Sequence, residues 1–333
     1  MQTNYKQIAL IVVGVILLGL GYFYQDKIMA FFDKKKTELR KDVPPSTNPN
    51  SATTSAVTTS SSGNDCTSPI QSPVVVDGKI MGVVEVGASG FNAFAVKMDA
   101  QGNYETVYKD FDKSLALEGF ATYEDVKTKL QAYLSKLFER GVSPKNMHFV
   151  ISSGALKNSK TKIIADGLKK MGYFVNEVTA EQEGRFALLA LLPKGYENNS
   201  FVVDIGSGNT KISYIENGRV TSYESFGAKY YQQGIEDGLV SKELNVTMNK
   251  VPNKYKDNMF IIGGVPYELA KLTCEGQRYA KLKAPNQYTE TDNVKFNTGL
   301  KIYNYIYTNA QPKQVIFDYD TNFVIGFLIS LKR

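Results

Sequence analysis

One short pattern constrains this chain more than any other, because it occurs twice. Residues 83–90 read Val-Val-Glu-Val-Gly-Ala-Ser-Gly, and residues 202–209 read Val-Val-Asp-Ile-Gly-Ser-Gly-Asn. Each copy runs apolar, apolar, acid, apolar, glycine and then small residues, and the two lie 119 positions apart. Each continues into a second apolar stretch, Phe-Asn-Ala-Phe-Ala-Val after the first and Lys-Ile-Ser-Tyr-Ile after the second. A strand, a tight turn and a strand repeated in this way predict a duplicated architecture with two matched halves.

The residue types suggest a chemistry. Glycine lets a backbone approach closely and adopt positive φ, and a turn of small residues can aim successive N–H groups at an anion. The acids Glu85 and Asp204 cannot hold phosphate directly. They can hold Mg²⁺ or its waters, and the metal then bridges to phosphate oxygens. Two such turns facing each other, Gly87-Ala88-Ser89-Gly90 and Gly206-Ser207-Gly208-Asn209, would clamp a polyanion from both sides.

The rest of the chain narrows the setting. The 333 residues are 43% hydrophobic and 22% charged, enough for one large domain or two ordinary ones. Much of the formal charge of +6 sits near the N-terminus, in Lys27, Lys34, Lys35, Lys36, Arg40 and Lys41. No basic stripe with interleaved aromatics is present, which argues against a nucleic-acid partner. Cysteine is scarce, and Cys66 falls in a low-complexity stretch away from Cys274, so no disulfide framework is implied. The single histidine, His148, reads as a strand residue and leaves too few ligands for zinc.

Residues 8–24 are 17 uncharged, mostly apolar positions ending in Tyr22-Phe23-Tyr24. That length and the terminal aromatics predict an uncleaved membrane anchor. Residues 1–44 form the anchor with its basic flank, and the Ser/Thr/Pro-rich stretch 45–72 forms a flexible linker. The basic flank favours the cytoplasmic face for the domain beyond it; the stalk-like linker would also suit export.

Between the two copies the order reads α/β. An amphipathic helix is expected around 122–140, a buried strand at 148–152, a helix at 159–171, a strand at 173–178 and a helix from 180–192. The last of these opens with acids in its first turn, where the helix dipole favours them.

Taken in order, these segments resemble the exopolyphosphatase/guanosine pentaphosphatase family of the actin-like ATPase superfamily. The residues that carry the likeness are the first turn, Val-Ile-Ser-Ser-Gly-Ala-Leu-Lys at 150–157, Ala-Glu-Gln-Glu-Gly-Arg at 180–185 and Asp-Ile-Gly-Ser-Gly-Asn-Thr at 204–210. A third glycine turn at Gly263-Gly264 and the closing segment 320–329 complete the set. The resemblance spans about 79–331. It implies a two-lobed ribonuclease H-like α/β fold with a cleft between lobes at 73–193 and 194–333. It further implies Mg²⁺ on Asp204 and Glu85, phosphate on the three glycine turns and Lys157, and Glu183 as the group that activates water, with Glu181 as its alternative. The implied reaction is hydrolysis of terminal phosphoanhydride bonds in polyphosphate or guanosine pentaphosphate, and the implied assembly is a homodimer. The alternative is a degenerate actin-like nucleotide-binding or scaffold protein at the membrane, since Asp-Ile-Gly-Ser-Gly-Asn-Thr-Lys also resembles loops of bacterial filament-forming actins. The chain departs from the family pattern at Glu85 (Asp in the family), Lys157 (Arg), Ser207 and Asn209 (Gly and Ser), and Lys211 (an acid).

Overall fold

A computed structural model describes residues 68–112, 119–275 and 277–331. The expected anchor at 8–24 and most of the linker lie outside these residues. Among the described residues no helix is long and apolar enough to cross a membrane. The chain divides into two compact units, Met1–Ser62 and Gly63–Arg333, and the second contains every described residue.

The duplication read from the sequence appears as two sheets. The first contains β1 (Lys79–Gly87), β2 (Gly90–Met98), β3 (Tyr104–Asp112), β4 (Met147–Ile151) and β5 (Phe174–Glu177), in the order β3-β2-β1-β4-β5. The second contains β6 (Ser200–Ile205), β7 (Asn209–Glu216), β8 (Arg219–Phe226), β9 (Asn258–Gly263), β10 (Tyr279–Lys281) and β11 (Gln314–Asp318), in the order β10-β11-β9-β6-β7-β8. In each half the acid-bearing strand pairs antiparallel with the next strand and parallel with a later one. The register is equivalent too: Glu85 lies opposite Asn92, and Asp204 opposite Lys211.

Helices cover both sheets. On the first sheet, α1 (Tyr123–Phe138) and α2 (Lys160–Lys170) pack over one face. Helix α1 starts at a capping box, with Thr122 and Asp125 each bonding the other's backbone N–H. It buries Val126, Leu130, Tyr133, Leu134 and Leu137, the stripe expected from their spacing. On the second sheet, α4 (Asp237–Asn249), α5 (Gly264–Lys271) and α6 (Val294–Ala310) take the equivalent place.

Helices α3 (Ala180–Leu191) and α7 (Phe323–Ser330) lie between the sheets. They share one apolar cluster with Val83, Phe94 and Val150 of the first sheet and Val202, Phe260 and Ile316 of the second. The expected boundary at 193/194 thus passes just beyond a helix that packs on β6, β7 and β8 as well. The two helices cross closely, because a Cβ at Gly326 would overlap the Phe186 carbonyl. On the far side of this layer β3 is tied to the segment after β11. Lys109 Nζ meets Asp320 Oδ1 at 3.0 Å, and Thr106 Oγ1 donates to the Asp320 carbonyl at 2.7 Å. Arg278 completes the tie, pairing with Asp318 at 3.1 Å and donating from Nη1 to the Tyr104 carbonyl at 3.2 Å.

The cysteines depart from expectation. Cys274, buried beyond the end of α5, is disulfide-bonded. Two cysteines leave no spacing signature from which a pairing could be derived. His148 sits in β4 as expected and stacks on Phe174 at 5.3 Å.

Candidate functional site

The fold brings the glycine turns to one place. A cleft of about 390 Å³ is lined by Gly87, Ala88, Ser89 and Gly90 from the β1–β2 turn, and by Gly206, Ser207, Gly208 and Asn209 from the β6–β7 turn. Gly263 and Gly264, at the start of α5, line it as well. Two of these glycines are required by the backbone. Gly90 has φ +136° at the first turn, and Gly263 has φ +119° where a Cβ would strike the Ile205 carbonyl. Floor and wall also include Glu85, Asp204, Lys211, Asn92 and Asn322. An aromatic group of Phe111, Tyr267, Phe317 and Tyr319 forms the opposite side, with Phe111 and Tyr267 meeting across the lobes at 5.5 Å.

Ser89 stands out among the lining residues. Its hydroxyl is buried and has no hydrogen-bond partner among the described residues. A buried hydroxyl without a partner carries a desolvation cost that a ligand's acceptor would remove.

The acids are held by protein groups. Glu85 Oε2 accepts from Asn92 Nδ2 at 2.7 Å and from Asn322 Nδ2 at 3.0 Å. Burial raises its carboxyl to about 7; the two amides pull it down, and the neighbouring Asp204 and Glu183 push it up. Burial likewise raises Asp204, against the pull of Lys211. Lys211 Nζ contacts Glu183 Oε2 directly and lies 3.7 Å from Asp204 Oδ2. Burial pulls the Lys211 ammonium down, but Asp204, Glu183 and Glu85 outweigh it, and the net shift is upward.

Glu183 is placed differently from the expectation. Its side chain is 0% exposed and does not line the cleft; Oε1 is hydrogen-bonded, and Oε2 has an ion-pair contact but no hydrogen bond among the described residues. Oε1 accepts the Ser153 N–H, and Oε2 meets the Lys211 ammonium. The helix that carries it is fixed by a capping box, in which Thr179 and Gln182 bond each other's backbone N–H. It presses onto β7 and β8 at Gly184, where any Cβ would meet Ser213 and Ser222 hydroxyls. Glu181, the alternative, is exposed. Lys157 does not reach the cleft either. Its side chain is 65% exposed, and its nearest acid is Glu224 at 4.0 Å.

The residues present do not fit Mg²⁺. That ion takes near-octahedral oxygen ligands, but the space between Asp204 and Glu183 is filled by the Lys211 ammonium. Among the described residues no group of three or more His, Cys, Asp or Glu could hold a metal ion. Glu85 and Asp204, expected as metal ligands, line the cleft with amide and ammonium partners instead. Lys211 was visible in the sequence only as a departure from the family's acid. Asn92 carried no signal until the register was known, and Asn322 none until the start of α7 was placed beside Glu85.

No protein-family model matches the chain, and neither does any curated protein sequence. Solved structures do match in fold. A Ppx/GppA family member from Aquifex aeolicus is 17% identical, with a TM-score of 0.54 over 76% of this chain and 98% of its own. An exopolyphosphatase from Cytophaga hutchinsonii is 13% identical, with a TM-score of 0.55 over 76% and 98%. An exopolyphosphatase-like protein is 10% identical, with a TM-score of 0.57 over 77% and 98%. The described part of this chain therefore has the two-sheet, actin-like α/β fold of the exopolyphosphatases.

Proposed function

We propose that the cleft binds the phosphate groups of inorganic polyphosphate or a nucleotide polyphosphate, and that it acts as a binding module without turnover. One observation carries this reading. The two glycine turns line one cleft together with a buried Ser89 hydroxyl that lacks a partner among the described residues, while Glu183, the expected water-activating acid, is sealed outside it, held by the Ser153 N–H and the Lys211 ammonium. A group that orients water must reach the reacting atoms. In this arrangement Ser89 Oγ donates to a phosphate oxygen, the turn backbones approach the phosphates closely, and Lys211 offsets the negative charge of Asp204 and Glu183 behind the turn.

A second reading, hydrolysis of the terminal phosphoanhydride bond, is favoured by the shared exopolyphosphatase fold and by Glu183 standing one residue's contact away from Asp204 through Lys211. It requires Glu183 to leave both present partners. Under either reading residues 8–24 would hold the cleft at a membrane. The Cys274 disulfide, a bond that persists in oxidising compartments, argues for the outer face; the basic flank argues for the cytoplasmic one. Protease accessibility in intact cells reads the side directly.

The test uses the purified full-length chain. Binding of long-chain polyphosphate, ATP and guanosine pentaphosphate is measured by calorimetry beside phosphate release. Expected are saturable binding of one of them, weakened in Ser89→Ala, and no release. Release that disappears in Glu183→Gln would replace the binding reading with the hydrolase.

A further inference from the structure

We infer that Lys211 is a resident cation standing where a divalent metal would sit between the turns, so that the cleft receives its phosphorylated ligand without one. The inference rests on the proposed ligand class, but its main observation does not. Lys211 lies directly across the β6–β7 ladder from Asp204, and its side chain is 5% exposed. Its Nζ is enclosed by Glu183, by Asp204 at 3.7 Å and by the Phe323 ring at 5.9 Å. An ammonium buried among carboxylates and over an aromatic face is stabilised by each of them. It does in fixed form part of what a bound cation would do, offsetting the acids behind the turn that would otherwise repel a phosphate.

The first half of the duplication supports the same reading. At the equivalent cross-strand position stands Asn92, and its amide, with that of Asn322, satisfies Glu85 at 2.7 and 3.0 Å. Both acids at the strand ends therefore have protein partners of their own. A divalent ion entering here would have to displace two amides or sit against a buried ammonium, and Mg²⁺ sheds its water reluctantly even for good ligands. The covalently held cation also cannot be withdrawn by a chelator, so ligand binding is set by the chain alone.

The experiment has two independent arms, both on the full-length chain. In the first, Mn²⁺ alone is titrated and free Mn²⁺ is followed by electron paramagnetic resonance. The wild type is expected to show no saturable binding up to the highest Mn²⁺ concentration used, and Lys211→Gln and Lys211→Glu to bind saturably at least about 10-fold more tightly than that limit, the low end of what metal-site residues command. Stoichiometric Mn²⁺ binding by the wild type that vanishes in Asp204→Asn would overturn the inference. So would Lys211 variants that are folded by circular dichroism yet gain no Mn²⁺ affinity. If those variants do not fold, the wild-type titration decides. In the second arm polyphosphate and nucleotide binding are measured in EDTA. Binding that persists there supports the inference, and binding that appears only with Mg²⁺ overturns it. Failure of any ligand to bind under either condition refutes the proposed ligand class, while the Mn²⁺ arm still reads the role of Lys211.

Discussion

Replacing Arg278 with Met tests how the two lobes are joined. The Arg278 and Asp318 side chains are 10% and 1% exposed. Arg278 Nε and Nη2 donate to the Asp318 carboxylate at 3.1–3.2 Å, and Nη1 donates to the Tyr104 carbonyl of β3 at 3.2 Å. The guanidinium also lies 4.6 Å from the Tyr104 ring centroid and 5.1 Å from that of Tyr279. Methionine keeps most of the length and removes the charge. Breaking a buried pair by taking one partner costs about 3–5 kcal/mol. Two hydrogen bonds remain to Asp318, from the Asp320 N–H at 2.9 Å and the Thr321 hydroxyl at 3.0 Å, which puts the loss near the lower end, ~3 kcal/mol. Burial already raises the Asp318 carboxyl, with Arg278 pulling it down; without Arg278 it rises further. A carboxyl raised in the folded state is most favourable at low pH and loses stability as pH climbs through its folded value. The deficit should therefore be larger at pH 8 than at pH 5. Urea denaturation of the full-length chain, followed by circular dichroism, measures both. Arg278→Met/Asp318→Asn should recover at least half of the loss. A loss below ~1 kcal/mol at pH 8 would refute the claim that this pair is a buried strut.

Other expectations come from the cleft. Glu85 is raised from an ordinary 4.5 to about 7, chiefly by burial, so the wild type should lose stability as pH rises across that window. Glu85→Gln should flatten the melting temperature between those limits and be the more stable protein at pH 8; an unchanged slope would show that another group sets it. Lys157→Ala should leave ligand affinity and stability within ~0.5 kcal/mol of wild type, since Lys157 is exposed and outside the cleft. A tenfold loss of binding in that variant would restore the family's role for it.

What the sequence disclosed and what it concealed have physical reasons. The two hairpins were legible because glycine beside an acid at a strand end is an uncommon pattern, and it occurs twice. Helices α1 and α2 were legible because a single buried stripe imposes a helical period, and α3 because of the acids in its first turn; their observed bounds, Tyr123–Phe138, Lys160–Lys170 and Ala180–Leu191, fall within a few residues of those expected. Lys211 was not legible as a core residue. In an alternating strand a lysine reads as the wet face, but β7 is buried on both faces from Asn209 to Tyr214. The partner that makes this tolerable, Glu183, comes from a helix that precedes β6 in the chain. The placement of Glu183 was hidden for the same reason. Its position in the sequence fits a first-turn acid, and only the packing of Gly184 onto Ser213 and Ser222 turns it inward.

The crossing of α3 and α7 has a mechanical consequence. At Gly326 the helices touch backbone to backbone, with no room for even a methyl group. Relative sliding is least tolerated where packing is tightest. Any widening of the cleft would therefore turn about that point like a door on its pin, with the Lys109–Asp320, Thr106–Asp320 and Arg278–Tyr104 contacts serving as the catch that has to release. A ligand too large for the present opening would be admitted by rotation about this axis, and its rate of entry would be set by how often that catch lets go.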